Sequence, residues 1–176
     1  MDIPAAVDLC YDTAGIPGAK ITMGKSDWKT ELKDHFANMR VLERCQAETL
    51  LHFDQFCEFI VEPALENLAE EIASFGVKLR FQRTKGRDIR ASLTFPGSKD
   101  EQFQYRILLP KNAVELRLGL ATKGRKNLRS EFKVKESEFM PGLSPAEVLK
   151  LSKEDIILDI VGHYRDFRYE ALTSPD

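Results

Sequence analysis

The stretch VKLRFQRTKGRDIRASLTFPGSKDEQFQYRILLP, residues 77–110, alternates apolar and polar residues in three short runs. Val77, Leu79 and Phe81 alternate with Lys78, Arg80 and Gln82; Ile89, Ala91, Leu93 and Phe95 with Arg90, Ser92 and Thr94; Phe103, Tyr105, Ile107 and Leu109 with Gln104, Arg106 and Leu108. A period of two puts successive side chains on opposite faces of a strand. Lys85-Gly86, Pro96-Gly97-Ser98 and Pro110-Lys111-Asn112 supply turn chemistry beside them. Connections this short join antiparallel neighbours, so the runs predict a meander with one apolar and one polar face. Val114, Leu116, Leu118 and Leu120 predict a fourth strand, and Phe132 and Val134 a fifth beyond a loop at 121–128.

Upstream the period is helical. Leu32, Phe36, Met39, Leu42, Leu50, Phe53, Phe56, Cys57, Ile60, Ala64, Leu68, Ile72 and Phe75 recur at steps of three and four after Trp28. Ser26 is the predicted N-cap, and Gly76 stands where a left-handed residue ends a helix. Pro63 removes a hydrogen bond to the carbonyl of Phe59 and predicts a kink or a split. Residues 1–26, with Pro4, Gly15, Pro17, Gly18 and Gly24, carry no sustained period and read as an irregular arm.

Downstream, Ser144-Pro145-Ala146-Glu147 has the pattern of a capping box with proline at the first helical position. Ser152 is placed to cap a last helix carrying Ile156, Ile157, Ile160, Val161, Tyr164 and Phe167 on one side. The predicted fold is α+β, with residues 27–176 as a single domain. A long Pro-kinked N-terminal helix or helix pair (27–76) precedes an antiparallel meander of four to five strands (77–135) and a tail (136–176) whose two helices pack on one sheet face.

A chain of 176 residues with 43% apolar and 31% charged residues can bury a core without disulfides or metal. Its three cysteines, Cys10, Cys45 and Cys57, are odd in number and widely spaced, which argues against a disulfide framework or a zinc knuckle and for a reducing, cytoplasmic setting. The first residues have no basic start and no unbroken apolar core, and no stretch approaches the roughly 20 apolar residues that cross a bilayer.

Net charge is only −2, yet it is segregated along the chain. Residues 1–76 carry six Lys/Arg and fourteen Asp/Glu, residues 77–135 sixteen and five, residues 136–176 four and nine. The predicted sheet is therefore basic and the helices acidic. Lys78, Arg80, Arg90, Arg106 and Arg117 fall on the parity opposite the core and are expected on an open face that could attract a polyanion. Phe81, Phe95, Phe103 and Tyr105 all fall on the core parity, so binding there would go to phosphates and not to stacked bases. Thr-Lys-Gly-Arg occurs at Thr84–Arg87 and again at Thr122–Arg125, where Lys123, Arg125 and the following Lys126 add cations. Each copy is expected between strands, as a glycine turn with solubilising neighbours or as an anion-binding loop.

No nucleophile elbow, phosphate-binding loop, dinucleotide fingerprint or zinc-protease motif is present, and no metal or cofactor is expected. His35, His52 and His163 have no ligand-spaced companions; Cys45 and His52, seven residues apart on a helix, are separated by about 10 Å. Glu131-Phe132-Lys133 places a carboxylate and an ammonium on one strand face, the arrangement of restriction-endonuclease-type nucleases when an earlier acid such as Glu115 joins it. The long apolar stripe of the first helix, around Phe36, Met39 and Leu42, is a candidate self-association surface. The expected function is a non-enzymatic, protein-binding, self-associating module; the alternatives are a phosphate-reading nucleic-acid binder and a metal-dependent nuclease.

Overall fold

The computed structural model describes residues 27–99, 101–125 and 130–173. The predicted arm at 1–26, the predicted cap Ser26 and the cation Lys126 lie outside them. The chain divides into two units, Met1–Cys45 and Gln46–Asp176.

In the first unit the described residues form the start of helix α1 (Trp28–Phe56). Asp27 caps it, its Oδ1 accepting from the backbone N–H of Lys29 at 3.2 Å and its carbonyl from that of Thr30 at 2.8 Å. Every residue from Asp27 to Arg44 is exposed.

The second unit holds the core. Thr49, Phe53 and Phe56 on the last turns of α1 are buried. A π-helical turn, Cys57–Val61, leads into α2 (Glu62–Ala73). Pro63 explains the turn: it lacks an N–H and its ring crowds the carbonyl four residues back, and one residue inserted into the ladder accommodates both. The N–H of Glu62 accordingly reaches back five residues, to the carbonyl of Cys57. The predicted kink is thus a π-turn. At the other end Val77 N–H bonds Ile72 O at 3.3 Å and Gly76 N–H bonds Ala73 O at 3.0 Å, a Schellman closure with Gly76 at φ +73°.

Five antiparallel strands follow in sequence order: β1 (Lys78–Thr84), β2 (Asp88–Thr94), β3 (Phe103–Leu108), β4 (Gly119–Gly124) and β5 (Lys133–Glu138). Their register places Leu79, Phe81, Ile89, Ala91, Leu93, Phe103, Tyr105, Ile107, Leu120 and Thr122 on the inner face. The short α3 (Pro145–Val148) and the long α4 (Lys153–Thr173) complete the chain, capped as expected: the Glu147 carboxylate accepts from Ser144 N–H at 2.7 Å and the Asp155 carboxylate from Ser152 N–H at 2.8 Å. Those hydrogen bonds hold both carboxyls below the usual range. α2 packs on β1 and on α4. On α4, Ile156 and Ile160 are buried, Tyr164 and Phe167 lie against Phe103, and Val161, expected inside, is exposed.

Two expectations need correction. The fourth strand starts at Gly119, not Val114, and runs through residues assigned to the loop at 121–128. Residues 110–118 form an irregular link with Asn112 at φ +59° and Arg117 N–H bonded back to Glu115 O. Leu116 and Leu118 are buried all the same, so the leucine alternation reports burial without strand pairing. The second Thr-Lys-Gly-Arg is not a turn either: Thr122, Lys123 and Gly124 belong to β4, with Thr122 facing inward.

Candidate functional site

β5 breaks the pattern of the other strands. Its register with β4 pairs Thr122 with Lys135 and Gly124 with Lys133, so both lysines are on the face towards α4, where their side chains stay largely exposed, while Val134 is outward and also exposed. The lysines meet Glu170 of α4, with Lys135 Nζ at 2.8 Å and Lys133 Nζ at 3.5 Å from its oxygens. The hydrogen bond and charge of Lys135 hold the Glu170 carboxyl below its ordinary range.

Because β5 offers α4 cations and not an apolar surface, the helix end does not close down on the sheet. A recess of about 580 Å³ opens between α4 and the inner side of β4–β5. Phe103, Phe167, Gly124 and Ala171 give it an apolar wall, Thr122 and His163 line its depth, and Arg125, Glu131, Lys133, Lys135, Asp166 and Glu170 its polar side. The rings of Phe103 and Phe167 are 5.4 Å apart at 31°. Next to it, the Tyr105 hydroxyl donates to the Asp159 carboxylate, whose Oδ2 is also 3.7 Å from His163 Nε2. Burial, then the Asp159 charge, pushes the Tyr105 phenol well up, so it stays a donor.

Of the three nuclease candidates, Glu131 and Lys133 both line this recess. Glu115 does not join them. It sits in the link before Gly119, at the opposite end of β4, roughly 15–20 Å along the strand from Glu131, and pairs with Arg117 at 2.9 Å. Among the described residues no group of three His, Cys, Asp or Glu is placed to hold a metal ion.

The open sheet face carries Lys78, Arg80, Arg90, Arg106 and Lys123, as their register requires. Arg117, expected among them, is in the irregular link instead. Arg106 is neutralised by the buried Asp88, bonded through Nε at 2.6 Å and also through Nη2. The face has one aromatic that alternation missed, since Phe132 precedes β5 on the parity of Val134: Lys123 Nζ is 4.2 Å and the Arg125 guanidinium 4.8 Å from its ring centre. The first Thr-Lys-Gly-Arg has its glycine N–H already engaged, Gly86 donating to Asp54 Oδ1 at 2.8 Å. A carboxylate of the protein thus takes the place a phosphate would need.

The third surface is α1. Phe36, Met39 and Leu42 are exposed, and Trp28 and Leu32, beyond those three candidates, extend the same stripe. Among the described residues no helix is long and apolar enough to cross a membrane. The chain matches no protein-family model, no curated protein and no solved structure.

Proposed function

We propose that the protein is a self-associating interaction module, in which the first part of α1 pairs antiparallel with the same segment of a second copy. The observation that carries this reading is the exposure of one stripe of large apolar side chains: Trp28 66%, Leu32 48%, Phe36 57%, Met39 40% and Leu42 45%. A helix surrounded by water gains little from its own hydrogen bonds, and its stability comes from covering an apolar face.

The spacing selects the partner. Leu32 and Met39 stand a heptad apart, as do Trp28, His35 and Leu42, which makes them the alternating seam of a two-stranded coil. In an antiparallel pair Leu32 meets Leu42 of the second copy, and Phe36 meets its own symmetry mate near the two-fold axis. Lys29 then flanks Glu43 of the second copy, an opposite-charge pair formed twice; the parallel alternative brings no opposite charges together at these flanking positions. Light scattering after size exclusion tests the reading. A dimer at micromolar concentration that becomes monomeric in Leu32→Asp/Leu42→Asp, with the core of the second unit still cooperatively folded, supports it. A monomer, or a dimer indifferent to that variant, overturns it.

A second reading, phosphate-directed nucleic-acid binding by the open sheet face, is favoured by the cluster of Lys78, Arg80 and Arg90 and by Phe132 between two cations. Anisotropy with mixed-sequence DNA and RNA tests it: binding with a steep negative salt slope, weakened by Arg80→Glu, is expected, and absence of binding at low salt eliminates it.

A further inference from the structure

β5 turns two cations inward, where the other edge strand, β1, turns one, Arg83, which pairs with Glu62 at 3.2 Å. Apart from Arg83, strands β1–β4 place mainly apolar residues against the helices, whereas β5 turns Lys133 and Lys135 to that side with their side chains still largely exposed, and Val134 to the other. Inward cations on the two edge strands mark either a site or an edge device. Lysines turned inward on an edge strand do discourage edge-to-edge pairing. Edge protection alone does not call for the remaining features. The two ammonium groups converge on a single carboxylate, Glu170, although over the whole lining Arg125 and the acids Glu131 and Asp166 bring the charge into balance. Directly beside them lies an apolar wall of two tilted aromatic rings, Phe103 and Phe167. The recess that contains both is about 580 Å³, within the size range of small-molecule sites. The other two acids of the lining, Glu131 and Asp166, are both exposed and so screened by water, and Asp166 is paired with Arg165 at 3.5 Å.

We propose that this recess binds a small organic anion with a flat apolar body, its carboxylate, sulfonate or phosphate received by Lys133 and Lys135 and its body laid against Phe103 and Phe167. The buried Thr122 and half-buried His163 at the inner end supply hydrogen-bonding groups for a polar substituent. The site is independent of the α1 surface and stands or falls separately from self-association.

The test is an NMR titration of the full chain with 2-naphthoate, and with the neutral 2-naphthylmethanol as its isostere. Saturable shifts confined to the amides of Thr122, Gly124, His163 and Ala171 are expected, with naphthoate binding about tenfold more tightly than the alcohol. Lys133→Gln/Lys135→Gln should bring naphthoate to the level of the alcohol, and Ala171→Trp should abolish both by filling the recess. Absence of saturable shifts into the millimolar range overturns the proposal. So does unchanged naphthoate affinity in a lysine variant that melts like the parent, the result expected if the lysines only protect an edge.

Discussion

Gly124 lies directly under the ring of Phe167: a β-carbon added there would be 2.6 Å from Cζ, inside any tolerable contact. The glycine is what lets α4 approach β4 at its far end and sets the depth of the recess. Gly124→Ala should destabilise the fold by about 1–3 kcal/mol, the usual range for overpacking. Phe167→Leu, which removes the clashing edge, should recover part of the loss. Urea unfolding of the two single variants and the double variant measures the coupling, and strict additivity would show that the ring can move aside freely.

The buried phenol of Tyr105 offers a second check on the α4 contact. Its hydroxyl donates to Asp159, and Tyr105→Phe leaves that half-buried carboxylate without its donor. A loss of about 1–3 kcal/mol is expected. The folded-state phenol titrates above its unfolded value, so its contribution is intact below about pH 10 and fades as pH rises further. In ultraviolet titration the Tyr105 signal should appear only together with alkaline unfolding; ionisation in a still-folded protein would contradict the contact.

Cys57 is fully buried at the π-turn, and burial pushes its thiol from 9.0 up to about 12. A thiol harder to ionise when folded favours the folded state below pH 9, and that advantage is lost between pH 9 and about 12 as the unfolded thiolate gains population. In a Cys10→Ser/Cys45→Ser background, Cys57 should be modified by a disulfide reagent at pH 8 only at the rate of opening of the surrounding core. Rapid modification under native conditions would show that the π-turn opens locally.

Much of this architecture is legible in the sequence because each rule acts locally. Ser144-Pro145-Ala146-Glu147 needs only four residues to specify a capped turn, and it forms. Gly76 ends a helix through its own φ. The errors arise where the decisive partner is distant. Val114–Leu118 alternates like a strand, but Asn112 in a left-handed conformation and the Glu115–Arg117 pair shape a link whose leucines reach the core without a ladder. The recess is half legible: Glu131 and Lys133 fall on one face, but what faces them, Glu170 and Phe167 on α4, lies more than thirty residues away. Alternation alone also points the wrong way at β5. Phe132 and Val134 are its apolar members, and reading them as core residues puts Lys133 and Lys135 outside; the register with β4 reverses that.

The direction of helix pairing can be read by proximity at two positions of α1. With Cys10 and Cys45 replaced by serine, Phe36→Cys should cross-link efficiently between copies through a short bismaleimide, because antiparallel pairing brings residue 36 next to its own symmetry mate. Leu32→Cys should not, since its neighbour is Leu42 of the second copy. A parallel pair reverses both results: residue 32 then faces itself across the seam while residue 36 lies on the flank. The flanking charges give an independent reading. Lys29→Glu should weaken the dimer by setting a second carboxylate beside Glu43 of the other copy, and Lys29→Glu/Glu43→Lys should restore it, with the difference shrinking at high salt. Cross-linking at 32 and not at 36, together with no rescue by the charge swap, would leave the exposed stripe without the partner proposed for it.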